Sequence, residues 1–161
     1  MNGEALVELR PATTADAPQL GELAGALVRF HHELDPARFL PGDGVEDGYG
    51  KWLGKESTNP DAVVLVAEID GVILGYAYGR YEGRNWNDLI DAHGKLHDVL
   101  VAPEGRRRGA GRLLVDAVCQ KLRERGAKRV VLSTAVSNVA AQALFEGLGF
   151  RPTMIEMTRN L

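Results

Sequence analysis

An α/β fold is predicted for this chain of 161 residues, as one domain over 1–161 in which helices flank a mixed β-sheet. The length suits a single hydrophobic core, since one core commonly serves ~100–200 residues. Segments of strand and helix periodicity alternate in the order β-α-α-β-β-β-α-β-α-β, with one further strand possible at the end. A hairpin in the middle makes the front half of the sheet antiparallel.

The N-terminal third is typical of one short strand followed by two helices. Residues 6–9 alternate weakly in polarity, and Thr13 with Asp16 indicates a helix start. Apolar residues then recur at helical spacing, namely Leu20, Leu23, Leu27, Phe30 and Leu34. Proline and glycine at 35–44 break the pattern, and a shorter second helix is expected around 49–53.

The middle of the chain is rich in strand-forming residues. Two apolar runs at 62–69 and 72–81 flank Asp70-Gly71, a dipeptide that accommodates the positive φ of a tight turn. The polar segment 82–94 is predicted to be a loop, which could gate a binding site or serve as a plain connector. It leads to a third strand at 95–101.

The C-terminal part alternates helix and strand. Leu114, Val118 and Leu122 share one helical stripe, which Gly126 ends, and a strand is expected at 129–134. Residues 138–148 then predict a helix, followed by an extended strand-like tail after Gly149-Phe150.

Composition narrows the class of protein. No stretch approaches the ~20 apolar residues of a membrane span, and the N-terminus lacks the basic and apolar blocks of a secretory signal, which predicts a cytoplasmic protein without a membrane partner. Cys119 is the single cysteine, and its apolar helical neighbours favour a buried residue over a nucleophile.

Charge is distributed unevenly. Residues 104–129 hold nine Lys/Arg against three acidic residues, whereas the whole chain has a net charge of −3, so the remainder carries −9. The acidic remainder would repel a long polyanion, and no aromatic residues are interleaved for base stacking. A small anion is therefore predicted as the partner, and no nucleic acid.

The stretch PEGRRRGAGR at 103–112 lies between a predicted strand and a predicted helix. Its glycines allow backbone N–H groups to approach a ligand, and the unpaired N–H groups of a helix start attract phosphate. The nucleoside-triphosphate loop is excluded because no Lys-Ser or Lys-Thr follows the glycines, and Leu114 stands where the dinucleotide motif needs glycine. A diphosphate fits this turn best, and a solvated loop is the alternative.

Two motifs resemble the GNAT superfamily of acyl-CoA N-acyltransferases. The first is Arg106-x-x-Gly109-x-Gly111 directly after a β run, the position of the family's pyrophosphate signature. The second lies in SNVAAQALFEGLGF, where the matching residues are Asn138, Leu144, Phe145, Gly149 and Phe150. The resemblance covers about 62–161 and implies transfer of an acetyl group from acetyl-CoA to a primary amine of a small molecule or protein.

The resemblance also implies a cofactor site in a gap between the strands at 95–101 and 129–134. The pyrophosphate would lie on the backbone of 106–112 and the pantetheine arm along the first strand. The residues so implicated are Val99, Leu100, Val101, Arg106, Arg107, Arg108, Gly109, Ala110, Gly111, Arg112, Asn138 and Phe145. For Asn138 an ordinary helix N-cap is the alternative.

Amine acylation needs a base, and the strand at 95–101 carries His97 and Asp98, expected on opposite faces of the sheet. His97 is favoured because an ordinary imidazole is largely neutral near pH 7 and can accept a proton. Glu68 and Tyr81 are the further alternatives. The Val99 or Leu100 amide is expected to stabilise the developing oxyanion.

One position departs from the family pattern. Phe145 stands where relatives usually have a tyrosine that protonates the CoA sulfur, and phenylalanine has no proton to donate. This departure keeps a second hypothesis open, in which the domain binds or senses acyl-CoA without catalysis.

The acceptor site has fewer indications. His31, His32 and Tyr81 are expected near it, and a metal site is not expected, because adjacent histidines on a helix point ~100° apart. A homodimer is compatible with the resemblance, although no residue pattern indicates one. The acidic remainder of the chain favours a cationic acceptor.

Overall fold

In the computed structural model, which describes residues 6–161, five strands lie in one sheet in their order along the chain. They are β1 (Glu8–Pro11), β2 (Ala62–Ile69), β3 (Val72–Glu82), β4 (His93–Val101) and β5 (Val130–Leu132). The first four pair antiparallel, and β5 pairs parallel with β4, which confirms the mixed sheet. Residues 1–5, where the predicted domain and the segment considered for a secretory signal begin, lie outside the described residues.

Four α-helices of the described residues 6–161 pack around the sheet. They are α1 (Ala17–Leu34), α2 (Glu46–Glu56), α3 (Ala110–Glu124) and α4 (Val139–Gly147). Among the described residues, no helix is both long and apolar enough to cross a bilayer.

The strand β2, which lies between β1 and β3, is buried on both faces, and this explains its continuous apolar run. Val63 and Leu65 face a core formed with α3, whereas Val64 and Val66 face a second core formed with α1 and α2. Burying apolar surface on both faces stabilises the fold by roughly 25 cal/mol per Å².

The register between β3 and β4 shifts at one point, next to His97. Tyr78 pairs with Asp98 and Gly79 pairs with Leu96, so His97 is an extra residue in β4, that is, a β-bulge. The pairing of β5 with β4 ends at the same place, at Leu96. From His97 onwards, the edge of β4 faces a gap instead of a neighbouring strand.

The strand predicted after Gly149-Phe150 is not formed, since residues 148–161 of the described chain hold no strand. The side chains of Met154, Ile155 and Met157 are exposed, and Glu156 forms an ion pair with Arg38 beyond the C-terminal end of α1. An alternating pattern becomes a strand only where a partner edge completes its hydrogen bonds, and the tail has no such partner in residues 6–161.

Glycines allow α1 and α2 to cross at close range. A Cβ atom on Gly21 would lie 2.2 Å from the Glu46 carbonyl oxygen, and one on Gly50 would lie 2.1 Å from the Ala17 carbonyl oxygen. Because α2 can approach α1 this closely, the side chains of α2 that precede and follow Gly50 reach the sheet.

Gly50→Ala is therefore expected to lower the free energy of unfolding by about 1–3 kcal/mol, because the methyl group forces the two backbones apart. Urea unfolding measures the change. Gly48→Ala is the matched control in the same helix, since a Cβ at Gly48 meets nothing within 4 Å. It is expected to raise the free energy of unfolding by ~0.5–1 kcal/mol through helix propensity. Equal effects of the two variants would contradict the close crossing.

Candidate functional site

The connection from β4 to α3 forms a cradle of backbone donors. A 3₁₀ turn over Pro103–Gly105 is followed by Arg107 and Gly109 with left-handed φ values of 65° and 75°, and α3 begins immediately afterwards. Within the described residues, Leu113 is the first residue of α3 with a well-formed backbone hydrogen bond from its N–H group, to the Gly109 carbonyl oxygen at 3.0 Å, and the N–H groups just before it make no such bond. Consecutive unpaired N–H groups at a helix N-terminus form a binding site for an anion such as phosphate.

The four arginine side chains of this segment differ in their contacts. Arg106 Nε donates to the Val101 carbonyl oxygen at 3.1 Å, and Arg112 Nη2 donates to the Gly147 carbonyl oxygen at 3.3 Å. Arg107 and Arg108 are exposed and make no side-chain hydrogen bond to any residue of 6–161. Two guanidinium groups are thus left to meet an anion in the cradle.

The backbone of β4 presents alternate residues to the gap. The Ala102 N–H donates to the Leu74 carbonyl oxygen of β3 at 2.7 Å. Because successive residues direct their N–H and C=O groups to opposite edges of a strand, Leu100 faces β3 as well. Val99 and Val101 therefore face the gap, and the geometry favours the Val99 amide over the Leu100 amide as a donor to an oxyanion.

The far side of the gap is formed by α4. Asn138 caps this helix, with its Oδ1 accepting from the Ala141 N–H at 3.2 Å. Phe145 packs on the α3 core, and its ring lies 5.8 Å from the Phe150 ring in an edge-on contact. Asn138 is thus an N-cap, the alternative given for it, and its amide NH₂ group makes no hydrogen bond to any residue of 6–161.

His97 and Asp98 lie on the same face of the sheet, so the expectation of opposite faces is wrong. The His97 ring stacks on Tyr78 of the α1–α2 core, with centroids 5.2 Å apart, and Asp98 contacts Tyr49 of α2. The cause is the bulge, because its extra residue interrupts the alternation of side chains that the prediction assumed.

Glu82 orients His97 through a hydrogen bond. The His97 Nε2 lies 2.8 Å from Glu82 Oε1, at the end of β3 next to the gap. When the carboxylate is ionised it accepts from Nε2–H, and Nδ1 is left as the basic nitrogen of the ring.

Asp98 is buried between two phenols. Its Oδ2 accepts from the Tyr49 hydroxyl at 2.8 Å and from the Tyr76 hydroxyl at 3.0 Å. Burial raises the pKa of Asp98 above its ordinary value, although these two hydrogen bonds and the charges of protonated His97 and His31 act in the opposite direction. The site therefore holds a carboxyl group whose affinity for a proton is increased.

Of the remaining predicted residues, His31 and Tyr81 lie near His97 and Asp98, whereas Glu68 lies elsewhere on the sheet. His31 lies at the end of α1 with its Nδ1 2.9 Å from the Leu27 carbonyl oxygen, and its charge acts on Asp98. Tyr81 lines a cleft together with His97. Glu68 instead pairs with Arg10 at 2.6 Å on the β1 side of the sheet, which removes its support as a base.

That cleft opens between α2, β3 and β4 and has a volume of about 570 Å³. Its lining residues are Trp52, Asp61, Tyr78, Arg80, Tyr81, Glu82, Gly83 and His97. His97 belongs both to the cleft and to the bulge at the gap, so the two spaces meet at its ring.

A family model described as Acetyltransferase (GNAT) family matches residues 27–150, the range that contains the cradle, the bulge and the cleft. The chain belongs to the GNAT acetyltransferase family. It is 25% identical to the N-acetyltransferase YhfO of Bacillus subtilis over 146 residues, which cover 89% of both chains. It is also 32% identical over 114 residues to streptothricin acetyltransferase of Streptomyces lavendulae, across 70% of this chain and 56% of that enzyme.

Among solved structures, the GNAT fold of this chain is similar to that of aminoglycoside N-acetyltransferase AAC(6')-Iy in complex with CoA. The TM-score is 0.74 at 19% identity, and the similarity covers 100% of this chain and 98% of that chain. At this identity the similarity shows the fold alone.

Sequence reasoning missed several residues of this GNAT site. Tyr49 and Tyr76 escaped notice as partners of Asp98, and Glu82 was assigned only to a loop. A signal existed in β3, because Tyr76 and Tyr78 recur at a spacing of two residues in an otherwise apolar or glycine-rich run. Buried tyrosines usually need a hydrogen-bond partner.

The raised pKa of Asp98 makes stability depend on pH. The folded protein binds this proton more tightly than the unfolded chain does. The stability that the protonated Asp98 contributes is therefore fully present below the pKa of the unfolded chain, and it is lost as pH rises through the pKa of the folded protein. Asp98→Asn removes the charge and keeps an acceptor oxygen for the phenols. Its free energy of unfolding relative to the unmodified protein is expected to rise as pH increases from about 4, the ordinary pKa of an aspartate in an unfolded chain, through the raised pKa of the folded protein.

Urea unfolding across this pH range measures the difference. Asp43→Asn is the control, because it makes the same chemical change at an exposed position. A flat difference for Asp98→Asn would contradict the raised pKa.

Proposed function

We propose that this protein is an acetyl-CoA-dependent N-acetyltransferase, in which a primary amine of a small molecule or protein attacks the thioester directly. One observation carries the proposal. The bulge at His97 coincides with the end of the β4–β5 pairing, and the opened edge of β4 leads to the N–H cradle before α3. Membership of the GNAT family supports the same reaction class.

Acetyl-CoA is placed with its pyrophosphate in the cradle of 107–112 and its pantetheine arm in the gap. Arg107 and Arg108 add charge to the pyrophosphate site, and the gap-facing groups of Val99 and Val101 pair with the amides of the arm. The relative AAC(6')-Iy, solved in complex with CoA, has the same fold and supports this assignment.

The acceptor enters from the opposite face as an ammonium ion and must lose a proton before it can attack. His97 is the proposed base, with Glu82 fixing its ring and stabilising the imidazolium that forms. Asp98 lies next to it as a buried carboxyl group that is held by two phenols, and it is the second candidate base.

The neutral amine nitrogen then forms a bond to the thioester carbonyl carbon, and the carbonyl oxygen gains negative charge. The Val99 N–H is the proposed donor to this oxygen. Collapse of the intermediate breaks the C–S bond, the nitrogen loses its second proton to solvent, and CoA leaves as a thiolate. A thiol of pKa ~8.5 leaves tolerably as its anion, so Phe145 at the usual position of the acid does not prevent turnover.

The test of the proposal is release of free CoA from acetyl-CoA in the presence of a panel of primary amines. We expect release that depends on the amine, together with a mass increase of one acetyl group on the acceptor. Tight CoA binding without amine-dependent release would overturn the proposal in favour of an acyl-CoA-binding or sensing domain.

Variants of the cradle provide the control for this assay. Gly111→Glu is expected to abolish CoA binding, because a carboxylate enters the space for the pyrophosphate, whereas Arg107→Ala weakens binding only modestly. Gly111→Ala isolates the effect of charge, since a Cβ at Gly111 lies no closer than 3.6 Å to Leu144. Equal small effects of Gly111→Glu and Arg107→Ala would argue against this placement of the pyrophosphate.

Phe145→Tyr restores an acidic hydroxyl at the family's position and is expected to raise kcat by up to ~10²-fold, the low end of general acid catalysis. The gain should be lost at high pH, where a tyrosine hydroxyl of ordinary pKa ~10 ionises and can no longer donate a proton. Phe150→Tyr is the matched control, because it adds a hydroxyl to the partner ring of the same aromatic pair. If kcat and its pH profile do not change in Phe145→Tyr, protonation of the leaving group does not limit turnover.

A further inference from the structure

The cleft of about 570 Å³ beside His97 has an excess of negative charge. Asp61 and Glu82 both line it, and the side chain of Asp61 makes no hydrogen bond to any residue of 6–161. Arg80 is the one arginine or lysine in the lining, and Glu56 lies 3.4 Å from its guanidinium. Arg80 interacts with both Glu56 and Asp61, so the lining side chains carry the two negative charges of Asp61 and Glu82 against the one positive charge of Arg80.

An aromatic wall accompanies the carboxylates. Trp52 meets Tyr78 edge-on with centroids 4.9 Å apart, and Trp52 remains 42% exposed at the cleft. Tyr78 is fixed from behind, because its hydroxyl donates to the buried Glu56 at 2.7 Å. Aromatic faces next to carboxylates are the combination that binds an organic cation, and tryptophan offers the strongest cation–π attraction.

The two ends of the cleft lie on different strands. Asp61 directly precedes β2, whereas His97 lies on β4, and β3 separates these strands. Two strand spacings of about 4.8 Å each, together with an offset of two to three residues along the strands, put the ends roughly 13 Å apart. An ammonium group near Asp61 and an amine near His97 therefore belong to one elongated acceptor and not to two neighbouring groups on a short one.

We propose that the acceptor of this enzyme is an aliphatic polyamine, with one ammonium group held by Asp61 and Trp52 while another amine reaches His97. The inference that one amine reaches His97 rests on the proposed function, whereas binding of the distant ammonium group by Asp61 and Trp52 does not. The methylene groups between the amines lie along the cleft beside the exposed Trp52 ring, and Glu82 adds to the attraction for the cation.

Binding is measured first, because it requires no chemistry. Titration calorimetry of the CoA-loaded protein with spermidine, and separately with n-butylamine, compares a polyamine with a monoamine. We expect spermidine to bind at least about fivefold more tightly, as an added ion pair and cation–π contact imply. Affinities equal within a factor of two would overturn the proposal, whether or not the protein transfers acetyl groups.

Two variants at the distant end localise the contact. Asp61→Asn is expected to weaken spermidine binding about two- to fivefold and to leave n-butylamine binding unchanged. Trp52→Ala should also weaken spermidine binding. Asp70→Asn is the matched control, because Asp70 follows β2 at its other end, is exposed, and has a φ of 52° that asparagine tolerates. If Asp70→Asn weakens spermidine binding as much as Asp61→Asn does, the attraction is unspecific and the proposal fails.

Acetyl transfer supplies the second readout. In Asp61→Asn, KM for spermidine should rise by the same factor while kcat changes little, since Asp61 lies far from the reacting amine. A large fall in kcat with an unchanged KM would overturn the assignment of Asp61 to binding. Absence of transfer to every amine, together with intact spermidine binding, would refute the proposed function and leave the polyamine site in place.

Discussion

The bulge at His97 is the constraint on which the rest of the site depends. Without the extra residue, strict alternation would direct the His97 side chain towards the face opposite to Asp98, into the apolar core under α3, where an unpaired imidazole is costly. With the bulge, His97 reaches Tyr78 and Glu82 on the α2 face. The end of β4–β5 pairing at the neighbouring Leu96 opens the gap at the same level of the sheet. The bulge therefore brings the side chain of His97 to the same level of the sheet as the exposed backbone edge of β4.

The uneven charge of the sequence corresponds to two separate regions of the fold, one basic and one acidic. The segment that carries most of the excess arginine and lysine forms the cradle and α3, whereas the carboxylates of Glu56, Glu82 and Asp98 lie around α2 and the ends of β3 and β4. In the proposed reaction, the diphosphate and the ammonium ion would be attracted to opposite faces of the sheet. The thioester and the amine would then meet at the gap beside β4.

Features that depend on neighbouring residues could be predicted from the sequence. The hairpin around Asp70-Gly71 and the turn before α3 are local, because positive φ and an exposed helix start need particular residues at fixed positions. The bulge could not be predicted, because it is a relation between the registers of two strands and His97 carries no local mark of it. The partners of Asp98 are equally nonlocal, since Tyr49 lies 49 residues away. The expected C-terminal strand failed for the same reason, since a strand needs a partner edge.

The hydrogen bonds between Asp98 and two phenols help to distinguish the roles of the two candidate bases, His97 and Asp98. Burial, together with the negative charge of Asp98, raises the pKa of both Tyr49 and Tyr76, so both remain protonated donors at any working pH. Both donate to the same oxygen, Oδ2, which is thereby occupied as a proton acceptor. Tyr49 belongs to α2 and Tyr76 to β3, so the carboxylate also ties α2 to the sheet. We infer that Asp98 mainly positions α2 and the acceptor's surroundings, while His97, held by Glu82 on one nitrogen and open on the other, is the better placed group to take the proton.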